Sequence, residues 1–410
     1  RDFGTTYPAS IEFDSNDSNN IYFVEMLSPS IWIAEIDRLN NGTSQGISEV
    51  PIPVEGFEGT DPVFVTTGSL AFDEKENSVW VSVMIYGYKG QIFQYDLDTK
   101  SFAIFELPRE LSSPWGLTVG EHGDLWVTNA GSSIFYRLNP EEGNGNDDVD
   151  DNGSRNKNFE IEKFVTSMGS PRIFGKPPES ITERDFHNRY YTLPSLIKKS
   201  NDGSIWFNQQ HGNKISKFDP HTQVLTEYWV PTQNRLWGIC SEDDTINVDN
   251  NIKHEYTCGI ANILQFSIGK DGKQIWFSEW SENKIGKVET PEDPPFTIDV
   301  FESDQELTIE RGEKEKIKLI VKADSNLPSS AISNLRMVAS GTFTSSGYIG
   351  NSTGHFIEQP SLNSIEEGKE QEVSFEFTPS VDLPLGSYTL MIGAENNSIS
   401  YLKAIKIEII

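Results

Sequence analysis

The chain has 410 residues and a formal net charge of −29, from 62 acidic against 33 basic side chains. That surplus repels phosphate backbones and anionic lipid surfaces, which argues against any direct role on nucleic acid. No apolar run reaches the roughly 18 residues a membrane-spanning helix needs. An N-terminus at Arg1 rather than Met reads as a processed or partial end, so an anchor outside these residues stays open. The length accommodates two or three domains.

In chain order, one pattern recurs five times. A short strand comes first, then a β-rich run with aromatic weight, then an alternating run, then a run that proline often closes. Residues 7–13 (YPASIEF), 20–40 and 48–54 (SEVPIPV) make the first copy. Residues 67–73 with 77–108 make the second, and 113–119, 124–140 and 159–165 the third. The fourth is the most complete: 193–199, then DGSIWFNQQHGNKISKFDPHTQVLTEYWVP from Asp202 to Pro231. Its Asp202-Gly203 turn calls for positive φ and joins antiparallel strands. The fifth takes 261–268, then DGKQIWFSEWSENKIGKVET from Asp271, then FTIDVFES from Phe296. Tyr22, Trp80, Trp126, Trp206 and Trp276 are its hallmark aromatics. Four strands in roughly 40 to 45 residues is the sequence form of a β-propeller blade. Residues 1–303 therefore read as a propeller of five legible blades, with about six or seven expected in the full ring.

Three insertions interrupt the pattern, at 141–158, 170–191 and 240–258. The first carries Asp148, Asp150 and Asn152 in D-x-D-x-N-G form, the opening of a Ca²⁺ loop, although Phe159 stands where the bidentate acid belongs. The third is bounded by the only two cysteines, Cys240 and Cys258. A bridge there staples the base of the excursion, removes about 3 kcal/mol of unfolded-state entropy and implies an oxidising compartment. The sequons at Asn16, Asn41, Asn152, Asn351 and Asn396 point the same way, to an extracellular or cell-surface glycoprotein.

From Asp304 the blade turns and tryptophans vanish and longer alternating strands follow. About seven strands and a Pro-x-Gly-x-Tyr turn at Pro384 to Tyr388 predict an immunoglobulin-like β-sandwich over 304–410, of the kind used for spacing or docking. The fold class expected for the whole chain is all-β.

Two of the blades carry more specific motifs. Ile205-Trp206-Phe207, Asn213-Lys214-Ile215 and Glu227-Tyr228-Trp229-Val230-Pro231-Thr232 in the fourth, with Trp276-Phe277-Ser278-Glu279-Trp280 and Asn283-Lys284-Ile285-Gly286-Lys287 in the fifth, resemble blades of the streptogramin lyases. The resemblance implies a seven-bladed propeller that opens a cyclic lactone by metal-assisted elimination. It also implies a Mg²⁺ ion and a base at the ring centre, the base a His in Pro-His-x-Ile form at the start of certain blades. Here the matching positions read Pro114-Trp115-Gly116-Leu117 and Leu236-Trp237-Gly238-Ile239. An indole neither takes a proton nor ligates a metal. No catalytic residue is therefore assigned, and a rearranged lyase or lactone-opening enzyme is the alternative to a binding or assembly protein. Trp115 and Trp237 are the candidate ligand platform at the inner rim. Protein or glycan partners at the cell envelope are expected.

Overall fold

The computed structural model describes residues 8–14, 16–41, 46–54, 65–85, 89–140, 155–156, 159–167, 191–234, 236, 245–248, 253–256, 259–290, 294–301, 304–326, 331–349 and 355–410. The chain divides into two compact units, one of residues 1–131, 136–162 and 195–199, the other of 132–135, 163–194 and 200–410.

The first unit holds antiparallel meanders. Pro8–Phe13, Asn20–Glu25, Ser28–Glu35 and Ile47–Pro51 pair in chain order, as do Val65–Asp73, Ser78–Ile85, Lys89–Asp96 and Phe102–Glu106. Pro114–Val119 and Leu125–Asn129 open a third. The first hairpin of each of the first two meanders is set by an aspartate that accepts backbone amides: Asp14 from Asn16 and Asp17, Asp73 from Lys75 and Glu76. The second oxygen of each carboxylate takes the polar tip of the hallmark aromatic, Tyr22 Oη at 3.3 Å and Trp80 Nε1 at 3.3 Å. Tyr22 and the valines beside Trp80 (Val79, Val81 and Val83) belong to one buried cluster.

In the second unit the fourth meander, Ile205–Gln209, Lys214–Asp219 and Val224–Trp229, does not stop at its outer strand. Val224–Trp229 pairs antiparallel with Ile399–Ile409, and the sheet runs on through Gly386–Glu395 to Arg336–Gly341. Glu306–Ile309 pairs parallel with the far half of Ile399–Ile409. A second sheet, Phe296–Val300, Glu315–Ala323, Glu370–Thr378 and Phe356–Glu358, faces the first across a core that includes Phe296, Leu319, Phe375, Ile392 and Ile405. The predicted sandwich strands are thus all present, and Tyr388 Oη donates to the Pro384 carbonyl at 2.9 Å.

The fifth meander has three strands, Ile263–Ile268, Gln274–Glu279 and Lys284–Glu289. Phe296–Val300, expected as its fourth, pairs instead with Glu315–Ala323. Pro294 and Pro295 immediately before it cannot join a hairpin ladder. Its strict in-and-out burial also suits the half-buried face of a sandwich. The molecule is all-β, with β-propeller blades followed by a sandwich.

Candidate functional site

The inner strands, where the sequence places a ligand platform, are joined by hydroxyls rather than opened for chemistry. In the first unit Ser82 Oγ donates to the Trp115 carbonyl at 2.6 Å, and Thr128 Oγ1 donates to the Ser195 carbonyl. The strands approach so closely that a Cβ on Gly116 would lie 2.1 Å from the Ser195 oxygen. Trp115 itself is half-buried, and its backbone is committed to this seam. Trp237 lies outside the described residues, so the two indoles are not brought together. These positions do not fit a Mg²⁺ ion. Pro114-Trp115 and Pro194-Ser195 offer an indole and a hydroxyl in place of carboxylate and imidazole. Among the described residues no three His, Cys, Asp or Glu side chains are placed to hold a metal.

A buried polar cluster lies beneath the sheet that fuses fourth blade and sandwich. Lys214 and Glu227 have no exposed side-chain surface and sit 2.9 Å apart. The Lys214 ammonium also donates to Ser167 Oγ and lies 4.3 Å from the centre of the Trp229 ring. Gln209 Nε2 donates to Glu227 at 2.6 Å and to Ser216 at 2.7 Å. The Ser167 amide and hydroxyl both donate to Glu227. A serine beside a lysine is the outline of a nucleophile and its base. Here the hydroxyl gives its proton to a carboxylate and all three groups are sealed from solvent, so the cluster holds strands together. Next to it Glu395 meets Arg336 at 2.9 Å. Burial raises the Glu395 pKa, against the opposing pull of Lys214 and Arg336.

Above this cluster the same strands line a cavity of about 510 Å³. Tyr228 and Tyr401 form part of its wall, with Lys217, Asp219, Asp299 and Lys403 around them and Thr226, Thr290 and Thr297 between. Burial pushes the Tyr228 phenol up to about 12 and the Tyr401 phenol higher still, so both stay neutral donors. Lys403 is held below the usual lysine value by burial, with Asp219 and Asp299 pulling the other way. Two cations, two carboxylates and two phenols around one concavity can bracket a polar ligand with an apolar face. Sequence reasoning missed this site. Tyr228 lies in a motif it singled out, but Lys403 and Asp299 arrive from strands whose pairing no local pattern gives.

The other candidates fall as follows. Asp148, Asp150 and Asn152 lie outside the described residues, as do Cys240, Cys258 and Asn351. Asn16 and Asn41 are exposed, and Asn396 sits half-buried in a turn where its Oδ1 accepts from Ser398 and Ile399.

No family model and no curated protein matches the chain. Among solved structures it is similar to a catalytically inactive virginiamycin B lyase from Staphylococcus aureus with quinupristin, at 15% identity, 98% of this chain and 97% of that one, TM-score 0.41. A streptogramin B lyase structure aligns at 15% identity over 72% and 86%, TM-score 0.35. YCF48 from Cyanidioschyzon merolae aligns at 9% over 97% and 96%, TM-score 0.39. At such identities residue roles do not transfer.

Proposed function

We propose that the protein is an extracellular or cell-surface binding protein whose propeller and immunoglobulin-like module are welded into one recognition unit. The observation that carries this reading is the 510 Å³ cavity walled by Tyr228 and Tyr401 and bracketed by Lys217, Asp219, Asp299 and Lys403. Its ligand class is a glycan. A sugar ring offers an apolar face to a phenol ring and hydroxyls to carboxylates, ammonium groups and threonines. The acidic surface suits a solvated exterior, and a Cys240–Cys258 bridge with glycans on the sequons belongs to the same setting. Ca²⁺ at Asp148, Asp150 and Asn152 is part of the proposal, with Asn152 then left unglycosylated so that its side-chain oxygen is available to the ion.

The test is a glycan array on the full chain, followed by titration of the strongest hit. Asp299→Ala and Lys217→Ala should each weaken binding roughly tenfold, the loss of one charge-assisted hydrogen bond. A blank array, or variants that bind as well as the parent, sinks the glycan reading. Incubation with a streptogramin lactone and Mg²⁺ decides the alternative, since ring opening would establish a rearranged lyase.

A further inference from the structure

Just before each hallmark tryptophan the blade turns through a short polar stretch, and these stretches can be compared along the sequence. The second blade has Glu74-Lys75-Glu76, the third Glu121-His122-Gly123-Asp124 and the fourth Asn201-Asp202-Gly203-Ser204. Each of these carries more acid than base. The fifth blade reverses the sign with Lys270-Asp271-Gly272-Lys273, so that Lys270 leads the turn where Glu74, Glu121 and Asn201 lead the others. In a chain with 62 acidic and 33 basic side chains, that reversal runs against the composition.

The fourth and fifth blades adjoin, with Asn208 Nδ2 donating to the Ile263 carbonyl at 2.7 Å. Their first hairpins close alike, by backbone bonds from Ser200 to Ser204 and from Gly269 to Gln274, with Gly203 and Gly272 both at positive φ. A second cavity, of about 620 Å³, is lined by Asn201 and Asp202 of one hairpin and Lys270, Asp271 and Lys273 of the other. It shares Lys217 and Thr290 with the Tyr228–Tyr401 cavity, so the two lie side by side along one path. Its carboxylates are already engaged. Asp202 meets Lys217 at 3.0 Å, and Asp271 accepts the Lys273 amide at 3.0 Å. Lys270 is exposed and has no ion-pair partner among the described residues.

We propose that the glycan taken by the Tyr228–Tyr401 cavity is an acidic one, whose carboxylate or sulfate group is held by the Lys270 ammonium in the second cavity. This rests on the glycan reading of the first cavity and adds the charge of the ligand to it. One sugar lies against the phenols, where two lysines and two aspartates balance; the next passes Lys217 and Thr290 and brings its oxyanion to Lys270. An ammonium on a flexible stem acts as a point charge, so a uronate and a sulfate ester are recognised by the same chemistry. The −29 net charge repels an acidic chain elsewhere on the surface, which confines binding to this path and makes it sensitive to salt.

Isothermal titration of the full chain with two pairs of probes tests this. One pair is an oligouronate and the same oligomer with its carboxyls reduced to alcohols; the other is a sulfated oligosaccharide and its desulfated form. In at least one pair the acidic member should bind roughly tenfold tighter, and that pair identifies the oxyanion. Added salt should narrow the gap. Lys270→Gln, at an exposed position, should abolish the preference. Lys316→Gln, which removes an equal charge from the sandwich strand Glu315–Ala323, should keep it. Equal affinities within both pairs overturn the proposal and leave the glycan reading standing, and a preference that survives Lys270→Gln overturns it too. Silence from all four probes and from a glycan array removes the glycan reading and this proposal with it.

Discussion

At the level of single residues, Lys214 and Glu227 matter most because both are sealed from water and each offsets the other's charge. Removing one charge strands its partner, which costs about 3–5 kcal/mol, whereas replacing both with apolar groups of like volume is far milder. Lys214→Met should therefore lower urea stability by that amount, and Lys214→Met with Glu227→Leu should recover most of it. Equal losses in the single and double variants would show that packing, not charge, dominates. Asp202 gives a pH test. Burial pushes its pKa up, but hydrogen bonds from Ser200, Lys217 and Ser204 outweigh burial and hold it at about 2. A depressed carboxylate stabilises the fold above the unfolded value near 4, and that contribution is lost as pH falls toward 2. Stability measured over this window should decline less steeply in Asp202→Asn than in the parent. Residues of this kind were legible as a turn aspartate and a blade lysine. The burial of Lys214 was not, because it depends on Ser167 and Trp229 closing over it.

Strands are where the sequence spoke most clearly. Alternation, turn dipeptides and the recurring tryptophans placed the blade strands and the sandwich strands, since those signals are local and periodic. The seams between inner strands were not readable, because Ser82, Thr128 and Asn208 look like ordinary strand residues until their acceptors are known. Thr128→Val tests one seam. It keeps the shape but leaves the Gly116 amide and the Ser195 carbonyl without their buried partner, a cost of about 1–3 kcal/mol. Gly116→Ala should cost at least as much, because its Cβ would meet backbone on a neighbouring strand that cannot step aside. Chemical denaturation reads both, and a change within about 0.5 kcal/mol for either would show that the seam relaxes freely. Phe296–Val300 marks where local reading ran out: its pattern fitted a blade edge and a sandwich strand equally, and Pro294-Pro295 turned it to the second.

For the molecule as a whole, the expected boundary at 303 and 304 matters less than the sheet that crosses it. Val224–Trp229 and Ile399–Ile409 are neighbours in one ladder, far apart in sequence, and the cavity exists only because they pair. That explains why the candidate site escaped a reading that treated propeller and sandwich in turn. A chain ended at residue 303 should expose the Val224–Trp229 edge and half-uncover Lys214, and so unfold at lower denaturant or aggregate. The full chain should show no separate melting of residues 304–410. Two resolved calorimetric transitions, one matching an isolated 304–410 fragment, would contradict this.

Ile399–Ile409 also has a mechanical meaning. One edge is bonded to Gly386–Glu395, and the other is shared by Val224–Trp229 and Glu306–Ile309. Tension applied at Ile410 runs along this strand, so its bonds on both sides bear the load together and must shear at once instead of opening in sequence. If the protein is tethered through that end, force reaches the fourth blade directly through Val224–Trp229.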